Sequence, residues 1–198
     1  MPRTLALRAM ATAALVGLVG WAPPRDQMTL QPESRLWVEG TSTMRSWKCD
    51  APGTELTVEA GPAAVRGVLA AEHAVKAVHL VVTTARMDCH NGTMNDHMKK
   101  ALKAAHFPTI AFTLASYDLA TATDTVHAVL NGELSLGGVQ KPITLTTVAT
   151  AGPDGALRVV GTYELNMKEY GLTPPSLMFG TMKVGALVKV RFDLLLKS

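Results

Sequence analysis

The stretch CHNGTMNDHMKKALKAAHFPTIAFTLASY, Cys89 to Tyr117, gathers Cys89, His90, His97 and His106, with Asp96 among them and Asp88 just ahead. Residues of these types hold metal ions or supply nucleophiles, so their spacing decides what they can do. Zinc ligands recur at short fixed intervals, as Cys-x2–4-Cys or His-Glu-x-x-His, and neither pattern occurs here. A metal site on Cys89, His90 and His97 is the weaker reading beside ordinary histidines of a loop surface. No serine stands in a Gly-x-Ser-x-Gly elbow, and Asp88 and Asp96 read as turn and cap residues. The run LGGVQKP, Leu136 to Pro142, carries two glycines and a lysine but joins two strands, whereas a phosphate cradle leads from a strand into a helix. The sequence thus offers no catalytic residue, no metal site and no cofactor site.

The elements around that stretch are strands. RLWVEGTS and TELTVEA (Thr54–Ala60) come first, AVRGVLA follows a Gly-Pro turn as another strand candidate, and AVKAVHLVVTT (Ala74–Thr84) sets Val78, Leu80 and Val82 on one face. In PTIAFTLASY, Ile110, Phe112 and Leu114 share a face opposite Ala111, Thr113 and Ala115. TVHAVLNGELSL, ITLTTVAT, LRVVGTYEL and KVGALVKVRFDLLL continue the alternation, with turn signals such as AGPDG between them. Some eight or nine short alternating strands in one chain form a barrel or a sandwich. The opening stretch is the exception. Thr93 or Asn95 is placed to cap a helix beginning near Asp96, and Met94, Met98, Ala101 or Leu102, and Ala105 recur at three- and four-residue intervals. Lys99, Lys100 and Lys103 fall toward its later turns, where positive charge is favoured, and Pro108 ends it. The expected element is a short amphipathic helix laid on a β-barrel.

Its 198 residues are enough for one domain with a sizeable core. Arg3 and Arg8 precede an uncharged run, Ala9 to Trp21, and Gly20–Ala22 is a small-x-small site, so residues 1–22 read as a cleaved secretory signal. A retained anchor is the alternative, although the run is short for a bilayer span, which takes about 20 residues. Residues 23–35 are a Pro-containing lead and 36–198 the folded domain. The formal net charge of +3 loses two positive charges with Arg3 and Arg8. A nearly neutral exported domain has no general attraction to nucleic acid. Cys49 and Cys89 are the only cysteines, and an oxidising compartment lets them pair; a free buried thiol and a metal ligand are the competing readings.

Four segments in order carry a family resemblance: STMRSW within EGTSTMRSWKC, then MNDHMKKALKAAHFPTIAF, then NGELSLGGVQKPITL, then YGL within LNMKEYGLTPP. Together they resemble the YceI-like family of exported lipid-binding proteins, from about Leu36 to Leu196. The resemblance implies an all-β fold, a lipocalin-like extended antiparallel β-barrel of about eight strands with a short amphipathic helix. It implies a periplasmic or secreted carrier without catalysis, holding a polyisoprenoid, quinone or other long-chain amphiphile in an apolar interior, with homodimers among its members. On that reading the lining candidates are Trp37, Trp47, Phe107, Phe112, Leu114 and Phe179, with Met94 and Met98 near the entrance and Arg45 and Lys141 toward a polar head. The chain departs from the family at Met44, where many members have His, and at Ala105–His106, where Asp-Phe is frequent. An eight-stranded barrel either fills with side chains or holds one small ligand. Ala111 or Thr113, Ala128, Gly132, Gly185 and Ala186 are small inward candidates that would leave room. The rival function classes are a structural or stress-related envelope protein acting through its surface, and a metal protein or enzyme built on the histidine-rich segment.

Overall fold

Alternation decides the architecture, because each long strand buries one face and every pairing is antiparallel. The computed structural model describes residues 27–177 and 181–198. The expected signal at 1–22 and Phe179 lie outside the described residues. In chain order the strands are β1 (Gln27–Leu30), β2 (Arg35–Ser42), β3 (Ser46–Asp50), β4 (Thr54–Ala60), β5 (Val75–Thr83), β6 (Thr109–Ala122), β7 (Thr125–Leu136), β8 (Val139–Ala151), β9 (Leu157–Asn166), β10 (Ser176–Leu177) and β11 (Met182–Lys197). Helix α1 is Ala64–Leu69 and α2 is Gly92–Ala101. Neighbours run β1-β4-β5-β6-β7-β8-β9-β11, and β1 returns to β11 through Thr29 opposite Lys197, so eight strands close a barrel. Closure leaves no long unpaired edge in an all-β chain.

β2 continues the line of β1 along β11, with Phe192 opposite Leu36 and Val184 opposite Ser42, and β3 folds back on β2. At this upper end β3 has no ladder to β4. The opening is crossed by a backbone bridge in which Asp50 and Asp88 exchange hydrogen bonds of 2.7 and 2.9 Å, by the Cys49–Cys89 disulfide, and by α2. The lower end is plugged by α1, whose Ala64 and Val68 join Met28, Val58, Ala60, Val126, Ala149, Leu157 and Leu196 in one buried cluster.

Three elements differ from their sequence expectations. AVRGVLA is α1, not a strand: Ala64, Gly67 and Val68 are its buried residues, at helical spacing. A run apolar on nearly every face gives no clear period, and only packing chooses between strand and helix. Gln27–Leu30, placed in the lead, is the strand that closes the ring. Helix α2 starts four residues before Asp96, at Gly92, because Asn91 caps it: its Oδ1 accepts the Met94 N–H at 3.0 Å. Asn95, inside the helix, instead reaches back to accept the Cys89 N–H at 2.7 Å and to donate to Asp88 Oδ1 at 2.9 Å. The helix stops at Leu102, and Lys103 turns into the left-handed region, so Ala105 is not part of the apolar stripe.

Candidate ligand-binding site

Period-two alternation in every wall strand aims one set of side chains at a common interior. Leu36 and Val38 of β2, Val78, Leu80 and Val82 of β5, Ile110, Phe112 and Leu114 of β6, and Leu130 and Leu134 of β7 point inward. Ile143 and Leu145 of β8, Tyr163 and Leu165 of β9, and Val188, Val190 and Phe192 of β11 complete the circle. They enclose a cavity of about 520 Å³, within the range typical of small-molecule sites. Val78, Leu80, Leu130, Leu145 and Val190 are only half-buried although they face the barrel axis. Protein atoms do not fill this interior, and its apolar surface is available to a ligand.

Parity leaves the large residues of β6 inside and Ala111 and Thr113 outside, where Thr113 Oγ1 meets His79 Nδ1 at 3.0 Å. Room comes instead from glycines under rings. Gly40 lies beneath the Trp47 indole on the paired strand, Gly161 beneath the Phe192 ring, and Gly132 beneath Phe112. A Cβ at Gly40 or Gly161 would fall within the ring opposite and drive it into the lumen. Three large aromatics therefore lie flat on the wall. Ala128 lines the cavity and Gly132 shares its parity beneath the Phe112 ring; Ala186 is not a lining residue, and Gly185 sits with it in an irregular stretch of β11 between Val184 and Val188.

Polarity is confined to one end. The lining residues that are exposed, Arg45, Asn91 and Thr93, all stand where the β2–β3 turn faces the start of α2, and Ser42 and His97 lie beside them. This is the mouth. Deeper polar groups are already satisfied or buried: the Tyr117 hydroxyl donates to Val75 O at 2.9 Å and accepts the Val75 N–H at 3.0 Å. Burial holds the phenol of Tyr163 above its ordinary value, and it pushes Tyr170, in the roof above the cavity, up to about 12, so both rings are uncharged at neutral pH. Trp47 Nε1 is a buried donor without a partner. Among the described residues no group of three or more His, Cys, Asp or Glu side chains is arranged to hold a metal ion.

α2 roofs the cavity with Met94, His97, Met98, Ala101 and Leu102. It is fastened at its start by the Cys49–Cys89 bond and by a polar clasp. His90, in the left-handed region, places Nε2 2.7 Å from Asp50 Oδ2, and its N–H donates to Asp88 Oδ1 at 2.9 Å. Burial pushes the Asp50 carboxyl up, but the His90 and Lys48 contacts outweigh it and hold it below its ordinary value. Asp88 is held low by the Asn95 amide and the His90 N–H.

The YceI-like domain model matches residues 41–196. The chain belongs to the YceI-like family. Among solved structures, BcnA of Burkholderia cenocepacia superimposes with a TM-score of 0.65, covering 84% of this chain and 99% of that one. A polyisoprenoid binding domain from Saccharophagus degradans, implicated in plant cell wall breakdown, gives 0.61 over 86% and 98%, and the YceI protein of Campylobacter jejuni gives 0.57 over 76% and 84%. Each is 14% identical to this chain, so the likeness concerns fold. No curated protein sequence matches the chain. This YceI-like barrel has an interior capable of taking a hydrophobic ligand such as a long-chain lipid.

The four family segments converge on the mouth end. STMRSW forms the β2–β3 turn and start of β3, MNDHMKKALKAAHFPTIAF the roof helix and start of β6, NGELSLGGVQKP the β7–β8 hairpin, and YGL the turn whose Tyr170 and Leu172 are buried in the roof. Of the site residues the sequence singled out, Trp47, Met94, Met98, Phe112 and Leu114 line the cavity and Arg45 stands at its mouth. Trp37 does not, because Leu36 and Val38 take the inward parity; its Nε1 donates to Glu39 at 2.8 Å on the outer face, with Lys48 over the ring at 5.0 Å. Phe107 is 39% exposed and packs against Gly138 of the hairpin, outside the cavity. Lys141 is not a lining residue either; its ammonium lies 5.8 Å from the Tyr170 ring. Sequence reasoning missed Asn91, Thr93 and His97 at the mouth and the ring-on-glycine pairs. The signal for those pairs was present, since a glycine inside a strand marks a close approach.

Proposed function

We propose that this protein binds and carries a long-chain amphiphile, a polyisoprenoid or quinone, without catalysis, in the periplasmic or secreted compartment toward which its N-terminal segment directs it. The observation that carries the reading is the one-ended polarity of the cavity. An apolar chain has a continuous hydrocarbon wall to lie against, and a polar head has Arg45, Asn91, Thr93 and His97 at the mouth. Each methylene moved from water into such a wall contributes about 0.8 kcal/mol, so chain length supplies the affinity and the mouth supplies orientation. Trp47, Met94, Met98, Phe112 and Leu114 are the proposed chain contacts and Arg45 the proposed head contact. The polyisoprenoid binding domain of Saccharophagus degradans shares the barrel, which supports the choice of ligand class.

Native mass spectrometry of the protein taken from its own envelope, followed by solvent extraction, tests this. A discrete added mass that extracts as an isoprenoid or quinone is the expected result. A bare polypeptide mass that takes up no added isoprenoid would leave the carrier reading without support and direct attention to the surface.

A further inference from the structure

Two apolar side chains break the otherwise polar exterior far more than any others among the described residues. Met44 is 71% exposed and Leu187 is 66% exposed, while the next, Val160, is 40% exposed. Both lie at the mouth end of the barrel, Leu187 on the outer wall opposite Asn166 at the end of β9. Met44 is the tip of the β2–β3 turn, between the lining residues Ser42 and Arg45. Leu187 sits in the irregular stretch of β11 that begins at Val184, the cross-strand partner of Ser42.

The tip is held in place rather than left to collapse. Ser42 Oγ accepts the Arg45 N–H at 3.2 Å and donates to Arg45 O at 2.9 Å. Thr43 N donates to Lys183 O at 3.0 Å, and its hydroxyl donates to Thr181 O at 3.2 Å. A rigid turn that keeps a methionine in water forgoes burial that a looser one would take.

Charge gives the rim a direction. On the adjoining wall the cations are matched: Lys48 with Asp50, Lys189 with Glu164, Arg191 with Glu39. At the rim, Arg45 and Lys183 are exposed and have no carboxylate of the described residues within ion-pair distance. We propose that this rim, Met44 and Leu187 flanked by Arg45 and Lys183, docks the mouth of the barrel on the anionic surface of a lipid bilayer. Apolar side chains enter the headgroup boundary while adjacent cations meet lipid phosphates. Two side chains are too little for a stable dimer, which takes roughly 800 Å² from each partner, but they suit a reversible surface contact. Docked in this way, the mouth opens onto the phase in which a long-chain amphiphile resides. The surface is independent of which lipid the cavity accepts.

Flotation of the protein as residues 23–198, which contain every strand of the barrel, with phosphatidylcholine vesicles and with vesicles containing phosphatidylglycerol tests the assignment. Binding to the anionic vesicles alone is expected, falling about fivefold for each cation neutralised in Arg45→Gln and Lys183→Gln. Loss of flotation in Met44→Glu with Leu187→Glu is also expected, whereas Val160→Glu, on the β9 wall, leaves it unchanged. Equal flotation on both vesicle types, or full flotation of the Met44→Glu, Leu187→Glu protein with an unaltered circular dichroism spectrum, overturns it. So does a wild-type dimer that this double variant converts to monomer, since the rim would then belong to a second copy. Cavity loading, read separately by native mass spectrometry, succeeds or fails without altering these outcomes.

Discussion

The two ends of the barrel are closed by different materials. At the α1 end, three of six helical residues are buried, and Ala64 and Val68 seal the floor within a single apolar cluster. At the α2 end, none of ten helical residues is fully buried. The start of the roof is held by one disulfide, a backbone bridge and the contacts among Asp50, Asp88, His90 and Asn95, and only its far end, Ala101 and Leu102, packs against the buried cluster of Tyr170 and Leu172. Apolar burial is cooperative with the whole fold, whereas a few directional contacts can be lost without unfolding the wall. A fixed floor and a releasable roof are what a container needs if its contents enter at one end.

The largest effect is expected at the floor. Leu157 is 2% exposed within the lower cluster, and Leu157→Ala should cost about 3–4 kcal/mol, as large-to-small changes in cores do. Denaturant unfolding should show the whole loss in one transition, with α1 amides losing protection together with those of the wall strands. If α1 melted alone, the floor would be as detachable as the roof and the contrast would fail.

Removing the disulfide by Cys49→Ser with Cys89→Ser comes next. A loop of this length is worth about 4 kcal/mol by chain entropy, and measured cases run at about 2–4, but the site of the loss is the point. Amide exchange should rise in Gly92–Ala101 and stay unchanged in Ala64–Leu69, and uptake of a fluorescent long-chain lipid should accelerate. Uniform loosening of both ends would make the bond a global staple and not a fastening of the roof.

Between the ends, the wall sets the calibre. Gly40→Ala or Gly161→Ala would push Trp47 or Phe192 into the lumen, with overpacking of about 1–2 kcal/mol. Lipid affinity should fall by about tenfold, the equivalent of about 1.4 kcal/mol, with a larger loss for bulkier chains. Unchanged affinity in a folded variant would show that the rings have another place to go.

Much of this contrast was legible in the chain and part of it was not. Strands such as Val75–Thr83 and Thr109–Ala122 could be read because alternation is a local property, and a residue's face follows from its neighbours. The four family segments pointed to the mouth end, and their convergence there explains why they are recognisable as a set. Parity across β2 was not settled by pattern, because Leu36, Trp37 and Val38 are all apolar; the ladder to β11 decides it and turns Trp37 outward. Helix α1 was lost to the same ambiguity. The mouth residues Asn91 and Thr93 carry no motif of their own, and they acquire a role only when the disulfide and the Asn91 cap bring the start of α2 over the β2–β3 turn.

The smallest effect is the sharpest test of the roof, since it touches only the clasp. Asp50 and Asp88 are both held below the ordinary carboxylate value of 3.8, Asp50 by His90 and Lys48 against its burial, Asp88 by Asn95, the His90 N–H and more weakly Lys99. A carboxyl whose folded value is depressed binds protons less readily in the folded chain than in the unfolded one. It therefore stabilises fully above the unfolded value, and the contribution fades as pH falls through the folded value. The clasp should weaken below about pH 4. The floor end has its own such group, Asp193, held low by the Arg158 guanidinium at 2.8 Å, but the apolar cluster beneath it does not titrate. Exchange of α2 amides, corrected for intrinsic rates, should thus rise in acid before that of α1, and Asp50→Asn should reduce the rise to the part that Asp88 contributes. If α1 and α2 loosened together in acid, or if α2 loosened near pH 6, the carboxylates would not be what fastens the roof.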